Sequence, residues 1–398
     1  MAAKPIQEER AQYRTPVVEN FPDRLGVVNL DELASRLSES LDILGLRGKK
    51  RREVETAVRD SVVGSSTIFN KNLSLRYGQN PGAPAAFYKE IGASGPSTAT
   101  MEVIQEGKGL GFINIGDLDL GLQFAKSCYD ISEGKLVAAI VKHEMLSGVA
   151  RGTNPFETYN RAFYADDLSN FGGVVVLSYE PTPNIARVIV EQGKLRNTEV
   201  LVAPGYSDEV KEILKGRKDL RVVQIENMSN PIINNGITYK RTDGGLLVEN
   251  RFSPKTKTID DLDCISATKP TISDLYTALF LWQATAYTRS NAVLIGVEDT
   301  VYGIGSGQRS RIDAAEDAIK LSKRGYGYEG TFMASDAFMP ATDVVELAKE
   351  SGVRGIVYPK GSLMDDAVLE KANQYNLVML ITRKPGSTEG GERCFLHR

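Results

Sequence analysis

The sequence predicts an α/β fold, and two observations carry that prediction. Residues 136–141 (Leu-Val-Ala-Ala-Ile-Val) and 172–178 (Gly-Gly-Val-Val-Val-Leu-Ser) are nearly unbroken apolar runs, the pattern of strands buried on both faces. Between and after such runs come stretches with helical spacing of apolar residues, so strands and helices alternate along the chain. At roughly 150 residues per domain, 398 residues suggest two to three units.

Residues 1–24 carry Pro5, Pro16 and Pro22 and read as an extended segment. Two amphipathic helices are expected next, over 30–46 (Leu33, Leu37, Leu41, Leu44) and 53–63 (Val54, Val58, Val62). Residues 73–82 form a short strand or loop broken by Gly78 and Pro81. Strand 136–141 leads to a helix within 150–165, whose start Gly152 and Pro155 place near Pro155. Strand 172–178 is followed by helix 182–191, strand 198–204, helix 208–215 and strand 220–225. The polar stretch 234–270 reads as a seam. Beyond it come helix 271–287, strands 292–295 and 301–304, a Gly-rich loop and helix 313–323. Strand 332–335, helix 341–351, strand 355–358, helix 364–375 and strand 377–382 complete the chain. The two halves share a strand–helix order without a strong internal sequence repeat. The expected division is an extension with helices over 1–67, a first subdomain over 68–250 and a second over 251–398.

Lys and Arg number 48 against 51 Asp and Glu, so no basic surplus argues for nucleic acid or an anionic membrane. An apolar fraction of 41% gives enough core-forming residues to exclude disorder for most of the chain. No apolar run of about 18 residues occurs, and the charged first twenty residues lack the apolar region of a signal peptide. Cys128, Cys264 and Cys394 stand far apart, fitting neither a disulfide framework nor a zinc site, which points to a reducing cytoplasm. Only two histidines exist, His143 and His397, so any imidazole chemistry rests on them.

Four places offer chemistry. Lys142-His143 closes an apolar strand, and in parallel α/β sheets ligands gather at the carboxyl ends of strands. A cation and a base of near-neutral pKa side by side suit proton transfer with charge stabilisation; the plainer reading is a solvated strand end. Gly303, Gly305 and Gly307 suggest close backbone approach to a ligand, with Arg309 and Arg311 as forks for phosphate or carboxylate; the plainer reading is a hairpin turning into a helix. Arg393, Phe395 and His397 cluster in a tail that either frays or folds back into a site. Asp336, Phe338 and Asp343 mark a strand-to-helix turn, where they form a platform and carboxylates or simply serve turn and core.

Together these stretches resemble one family, the formyltransferase domain of the bifunctional purine-biosynthesis enzyme. The resemblance rests on Leu75-Arg-Tyr-Gly-Gln-Asn-Pro81, Lys142-His143, Asn170-Phe-Gly172, Glu199 ahead of Ala203-Pro-Gly-Tyr206, Ser290-Asn291, Gly303 to Arg311, Asp336 to Asp343, and Arg393 to His397. They occur in order from about residue 68 to the end. This sequence departs from the family pattern at 144–147, at Gly82-Ala83 and at Val344, on the expected donor side.

The resemblance implies two tandem cytidine-deaminase-like three-layer subdomains. It implies transfer of a formyl group from 10-formyltetrahydrofolate, as cosubstrate, to the 5-amino group of aminoimidazole carboxamide ribonucleotide (AICAR), on the route to IMP. Lys142, His143 and His397 are then catalytic, with His143 accepting the proton. Arg76, Tyr77, Gly172, Glu199, Asn291, Arg311, Phe338 and Arg393 bind the nucleotide, while Ile312 and Asp343 face the folate. No metal is required, and the sites form across a homodimer. Only about 70 residues precede the Leu75 stretch, so the ring-closing IMP cyclohydrolase is expected on another protein. A formyltransferase with another donor or acceptor, or a non-catalytic nucleotide-binding relative, stands as the alternative.

Overall fold

The computed structural model describes residues 24–26, 45, 47–54, 68–80, 82–129, 131, 134–166, 168–192, 197–228, 237–251, 254–325, 331–382 and 396. Residues 48–54 are helical (α1) and meet the second expected N-terminal helix, over 53–63, only at 53–54; the rest of it, and almost all of the first, over 30–46, lie outside the described residues. The chain falls into two compact units, one formed by residues 1–94 with 109–112 and the other by 95–108 with 113–398.

The smaller unit holds an antiparallel sheet of β1 (Arg24–Gly26), β2 (Ile68–Ser74) and β3 (Ala86–Glu90). Just past β2 the backbone is pinned on both sides. Leu75 N–H donates to Ala85 O at 2.9 Å, Arg76 N–H donates to Leu110 O at 3.0 Å, and Tyr77 O accepts from Phe112 N–H at 3.2 Å.

The larger unit is built on a twelve-stranded mixed sheet. Its first half contains β4 (Glu102–Gln105), α2 (Phe112–Tyr129), β5 (Leu136–Lys142), β6 (Met145–Gly152), α3 (Pro155–Tyr164) and β7 (Val174–Leu177). It ends with α4 (Pro183–Glu191), β8 (Val200–Ala203), α5 (Asp208–Leu214) and β9 (Arg221–Gln224). A separate hairpin follows, β10 (Ile237–Thr242) with β11 (Gly245–Asn250), inside the stretch expected as a seam. The second half contains β12 (Leu262–Cys264), α6 (Ile272–Thr285), β13 (Val293–Val297), β14 (Thr300–Gly305), α7 (Arg311–Gly325) and β15 (Phe332–Ser335). It closes with α8 (Asp343–Glu350), β16 (Gly355–Tyr358), α9 (Asp365–Gln374) and β17 (Val378–Thr382).

Sheet order reveals a repeat that the residues themselves conceal. The first half runs β4-β9-β8-β7-β5-β6 and the second β12-β17-β16-β15-β13-β14, the same order when each is counted from its own first strand. In both, an antiparallel hairpin flanks three parallel strands. Antiparallel pairing of β6 with β14 (Ala150 with Thr300, Val149 with Val301) joins the halves. The halves therefore run in opposite senses: β7, β8 and β9 begin at the edge where β15, β16 and β17 end.

Helices cover both faces, giving three layers. Alternate residues of β5 separate cleanly: Ala139 and Val141 join one core, Ala138 and Ile140 another. On one face α2 and α6 lie together, with the Phe124 ring edge-on to Phe280 at 6.2 Å and Ser127 Oγ–H donating to Gln283 Oε1 at 2.8 Å. The opposite face carries two cores, one under α3, α4 and α5 and one under α7, α8 and α9.

Two expectations need correction. Residues 145–152 are strand β6, not the lead-in to a helix; Gly148 is required there because a Cβ would strike the Ala162 carbonyl of α3. Strand β5 is antiparallel to both of its neighbours, so Lys142-His143 does not end a parallel strand.

Candidate active site

One edge of the twelve-stranded sheet gathers most of the residues singled out in the sequence. Val141 pairs with Val174, Val174 with Val200, and Val200 with Arg221. Lys142-His143, Gly172, Glu199 and Arg221 therefore stand in a row. Across the β6–β14 junction, Val293 pairs with both Gly305 and Ser335, which brings Asn291, Ser306 and Asp336 to the same edge. It is the amino end of the parallel strands in the first half and the carboxyl end in the second, so the carboxyl-end rule holds only for the second.

His143 and Glu144 form the two-residue tip of the β5–β6 hairpin, with Lys142 paired to Met145. Both have left-handed backbones, φ 54° and 56°, as a type I′ turn demands. Neither is glycine, so each conformation costs on the order of 1 kcal/mol. The turn is held from below by α2. Asp117, 2% exposed, accepts the His143 N–H at 3.2 Å and the Glu144 N–H at 2.5 Å. Burial raises the Asp117 carboxyl to about 6, against the opposing pull of those two amides and of nearby His143. Glu144 in turn receives Arg289 Nη2–H at 3.1 Å, an ion pair from first half to second.

The His143 side is exposed, while Lys142 is half-buried with its ammonium 5.5 Å from the Phe171 ring centre. Beneath them Ser147 Oγ–H donates to Asn170 Oδ1, and Asn170 Nδ2–H donates to Phe163 O. Gly172 has φ 79°, and its N–H donates to Asn197 O at 2.6 Å. Glu199 Oε2 accepts from Asn114 Nδ2–H at 3.3 Å and pairs with Arg221 Nη1 at 3.4 Å. Asn114 and Asp117 both belong to α2, one under Glu199 and the other under His143.

In the second half Arg311 is the hub. Its Nη1 donates to Ser335 Oγ at 2.9 Å and pairs with buried Asp336, and its Nη2 donates to Asn291 Oδ1 at 2.8 Å. Asn291 Nδ2 donates to Gln308 O and Arg309 O. Asp336 O accepts from Leu396 N–H at 3.0 Å, and Leu396 is buried in the core shared by α2 and α6. Phe338 is half-buried, Ile312 packs partly into the core under α7, and Asp343 is exposed at the start of α8. His397 and Arg393 lie outside the described residues. Arg76 and Tyr77 belong to the smaller unit, with the guanidinium 5.2 Å from the Tyr77 ring centre.

A cavity of about 170 Å³ opens at the hairpin tip, lined by Lys142, His143, Ser147, Asp166, Tyr302 and Ser306 among others. Among the described residues, no group of three or more His, Cys, Asp or Glu side chains is placed to hold a metal ion. None of their helices is long and apolar enough to cross a membrane.

The model of the AICARFT/IMPCHase bienzyme family matches residues 48–321, well over half of the chain. The chain belongs to that family. Membership in the AICARFT/IMPCHase bienzyme family makes it an enzyme of purine biosynthesis. The match takes in Arg76, Tyr77, Lys142, His143, Gly172, Glu199, Asn291, Arg311 and Ile312, and stops inside α7, before Phe338, Asp343, Arg393 and His397.

One sequence reading changes inside this family frame. Gly303 and Gly305 are strand residues of β14, and a Cβ on either would strike α7, at the Ala318 or Ala314 carbonyl. They let a helix lie directly on the sheet instead of admitting a ligand. Only Gly307, at φ 68°, sits in the loop itself. Asp117, Asn114 and Arg289 escaped the sequence reading, because each works through a partner distant in the chain.

Proposed function

We propose that the chain is an AICAR formyltransferase, moving a formyl group from 10-formyltetrahydrofolate to the 5-amino group of AICAR. The observation that carries this reading is the Lys142-His143 tip at the mouth of a cavity. Gly172, Glu199, Asn291 and Arg311 stand along the same sheet edge.

The acceptor amine is a weak nucleophile, because its lone pair is delocalised into the ring and the neighbouring carboxamide. Its nitrogen attacks the formyl carbon, and the bond from that carbon to folate N10 breaks. His143, exposed at the tip, accepts the amine proton. Lys142, held over Phe171, steadies the oxyanion and supplies a proton toward the departing N10. Tetrahydrofolate and the formylated nucleotide leave. His397 is proposed to assist at this locus. The remaining assignments are proposed as the family resemblance gives them: Arg76, Tyr77, Gly172, Glu199, Asn291, Arg311, Phe338 and Arg393 toward AICAR, Ile312 and Asp343 toward the folate. The two six-strand sets of the sheet are the proposed pair of transferase subdomains.

A cavity of about 170 Å³ is smaller than the roughly 300 Å³ that usually encloses even one drug-sized ligand. That supports a site completed by a second copy of the chain, as do Phe171, 46% exposed, and Met145, 39% exposed, beside it.

The test mixes the protein with AICAR and 10-formyltetrahydrofolate and follows tetrahydrofolate release beside a His143→Ala variant. Release by the parent and a fall of about 100-fold or more in the variant is expected. No release by the parent, or equal release by both, would sink the reading.

A further inference from the structure

We propose that Asp117 is the positioning residue for His143, acting through the backbone of the hairpin turn and not through the imidazole. The proposal rests on the formyltransferase reading for its kinetic readout alone.

Four observations converge on it. His143 and Glu144 are consecutive non-glycine residues with left-handed backbones, a turn that does not form by local preference. Both of their amides point to one buried carboxylate, Asp117 Oδ2 at 3.2 Å and Oδ1 at 2.5 Å. Gly116, the neighbour of Asp117 on α2, leaves room for the turn: a Cβ there would stand 2.7 Å from Glu144 Oε1. The corresponding turn of the second half, Glu298-Asp299, has the same left-handed pair, φ 47° and 60°, but is secured differently. There the turn's own carboxylate, Asp299, accepts from Arg151 and Lys135. A carboxylate brought from a helix to receive both turn amides belongs to the half that carries His143.

The physical consequence is directional. A carboxylate supplies two acceptor oxygens, one for each amide. An asparagine supplies one and sets an N–H₂ against the other amide. Substitution should thus misplace the imidazole relative to the substrate amine without touching a nucleotide contact, which lowers kcat and leaves KM for AICAR near its parent value.

The test compares four proteins: parent, Asp117→Asn, Glu144→Gly, and the double variant. Glycine at 144 adopts the left-handed backbone without strain and so lessens the turn's dependence on the anchor, while the strain at His143 stays. Asp117→Asn should lower kcat about tenfold or more in the parent background, but less than about threefold beside Glu144→Gly, with KM for AICAR nearly constant in both. Parent-like kcat in Asp117→Asn, or an equal loss in both backgrounds, overturns the proposal. Amide hydrogen exchange at His143 gives a reading independent of turnover and of whether Asp117→Asn alone folds. Protection present with Glu144→Gly and lost in the double variant supports the anchor, and unchanged protection overturns it. A parent protein that transfers no formyl group while His143 protection behaves as expected would defeat the assigned reaction and leave the anchor standing.

Discussion

Arg151 Nε donates to Asp299 Oδ1 at 2.5 Å, joining the end of β6 to the tip of the β13–β14 hairpin. The arginine is 1% exposed, lies 5.0 Å from the Phe280 ring centre, and donates further to Ile131 O and Tyr276 O. Lys135 Nζ takes the other carboxylate oxygen at 2.6 Å. This cluster sits at the sheet edge opposite the Lys142-His143 tip, where the opposed sense of the halves puts the second hairpin.

Removing Arg151 strands two carbonyls and leaves Asp299 with Lys135 as its remaining cation. Arg151→Met is expected to cost about 1–3 kcal/mol, the penalty of leaving buried polar groups without their donor. Urea unfolding should show the lower midpoint, while turnover per folded molecule stays near the parent value. A loss of turnover without a loss of stability would place the cluster in the chemistry instead.

Glycines in β14 provide a second prediction. Gly305→Ala drives a methyl into the Ala314 carbonyl, so α7 must lift and carry Arg311 with it. An overpacked core of this kind loses about 1–3 kcal/mol. Gly307→Ala meets only an ordinary contact, with Arg289 Cβ at 4.0 Å, and the strain of φ 68°, worth on the order of 1 kcal/mol. Thermal melts should rank Gly305→Ala below Gly307→Ala; the reverse order would return the glycines of β14 to a ligand-binding role.

How much of this was legible in the sequence follows from which signals are local. Strands β5, β7, β8 and β16 were visible because burial on both faces leaves nothing but apolar residues in them, Lys142 at the end of β5 apart. Helix α2 was not, because it is buried on nearly all sides and carries Asn114, Asp117 and Gly121 inward, so no amphipathic stripe marks it. Strand β6 was hidden by the small residues that let α3 approach. The histidine count and the Lys142-His143 pair pointed to the site, yet Asp117 sits 26 residues earlier in the chain than His143, and no spacing rule connects them.

Arg311 tests the second half of the site. Its fork reaches Asn291, Ser335 and Asp336 at once, and a lysine has no planar pair of nitrogens to do so. Arg311→Lys should leave the fully buried Asp336 poorly compensated and cost about 3 kcal/mol. On the formyltransferase reading KM for AICAR should rise with it, because Asn291 loses the group that orients its carbonyl. Isothermal titration with AICAR and urea unfolding check the two effects separately, and parent-like values in both would remove Arg311 from the site's framework.

Asp117 makes the stability depend on pH in a direction opposite to that of a surface carboxylate. Its folded-state value is about 6, above the 3.8 of an unperturbed aspartate, because burial outweighs the two turn amides and His143 that favour the ionised form, with Glu144 opposing them. Between those values the folded protein binds more protons than the unfolded chain. The contribution is therefore complete below about 3.8 and is lost as pH rises through about 6. Two units amount to about 3 kcal/mol. Asparagine at 117 has no such titration, so the stability of the parent relative to Asp117→Asn should fall by about that amount between pH 4 and 7, read by urea unfolding at each pH. Parallel curves for the two proteins would mean that Asp117 keeps an ordinary carboxylate pKa. At neutral pH the same carboxylate is ionised and offers both oxygens to the turn, so the state that costs stability is the one that holds His143 in place.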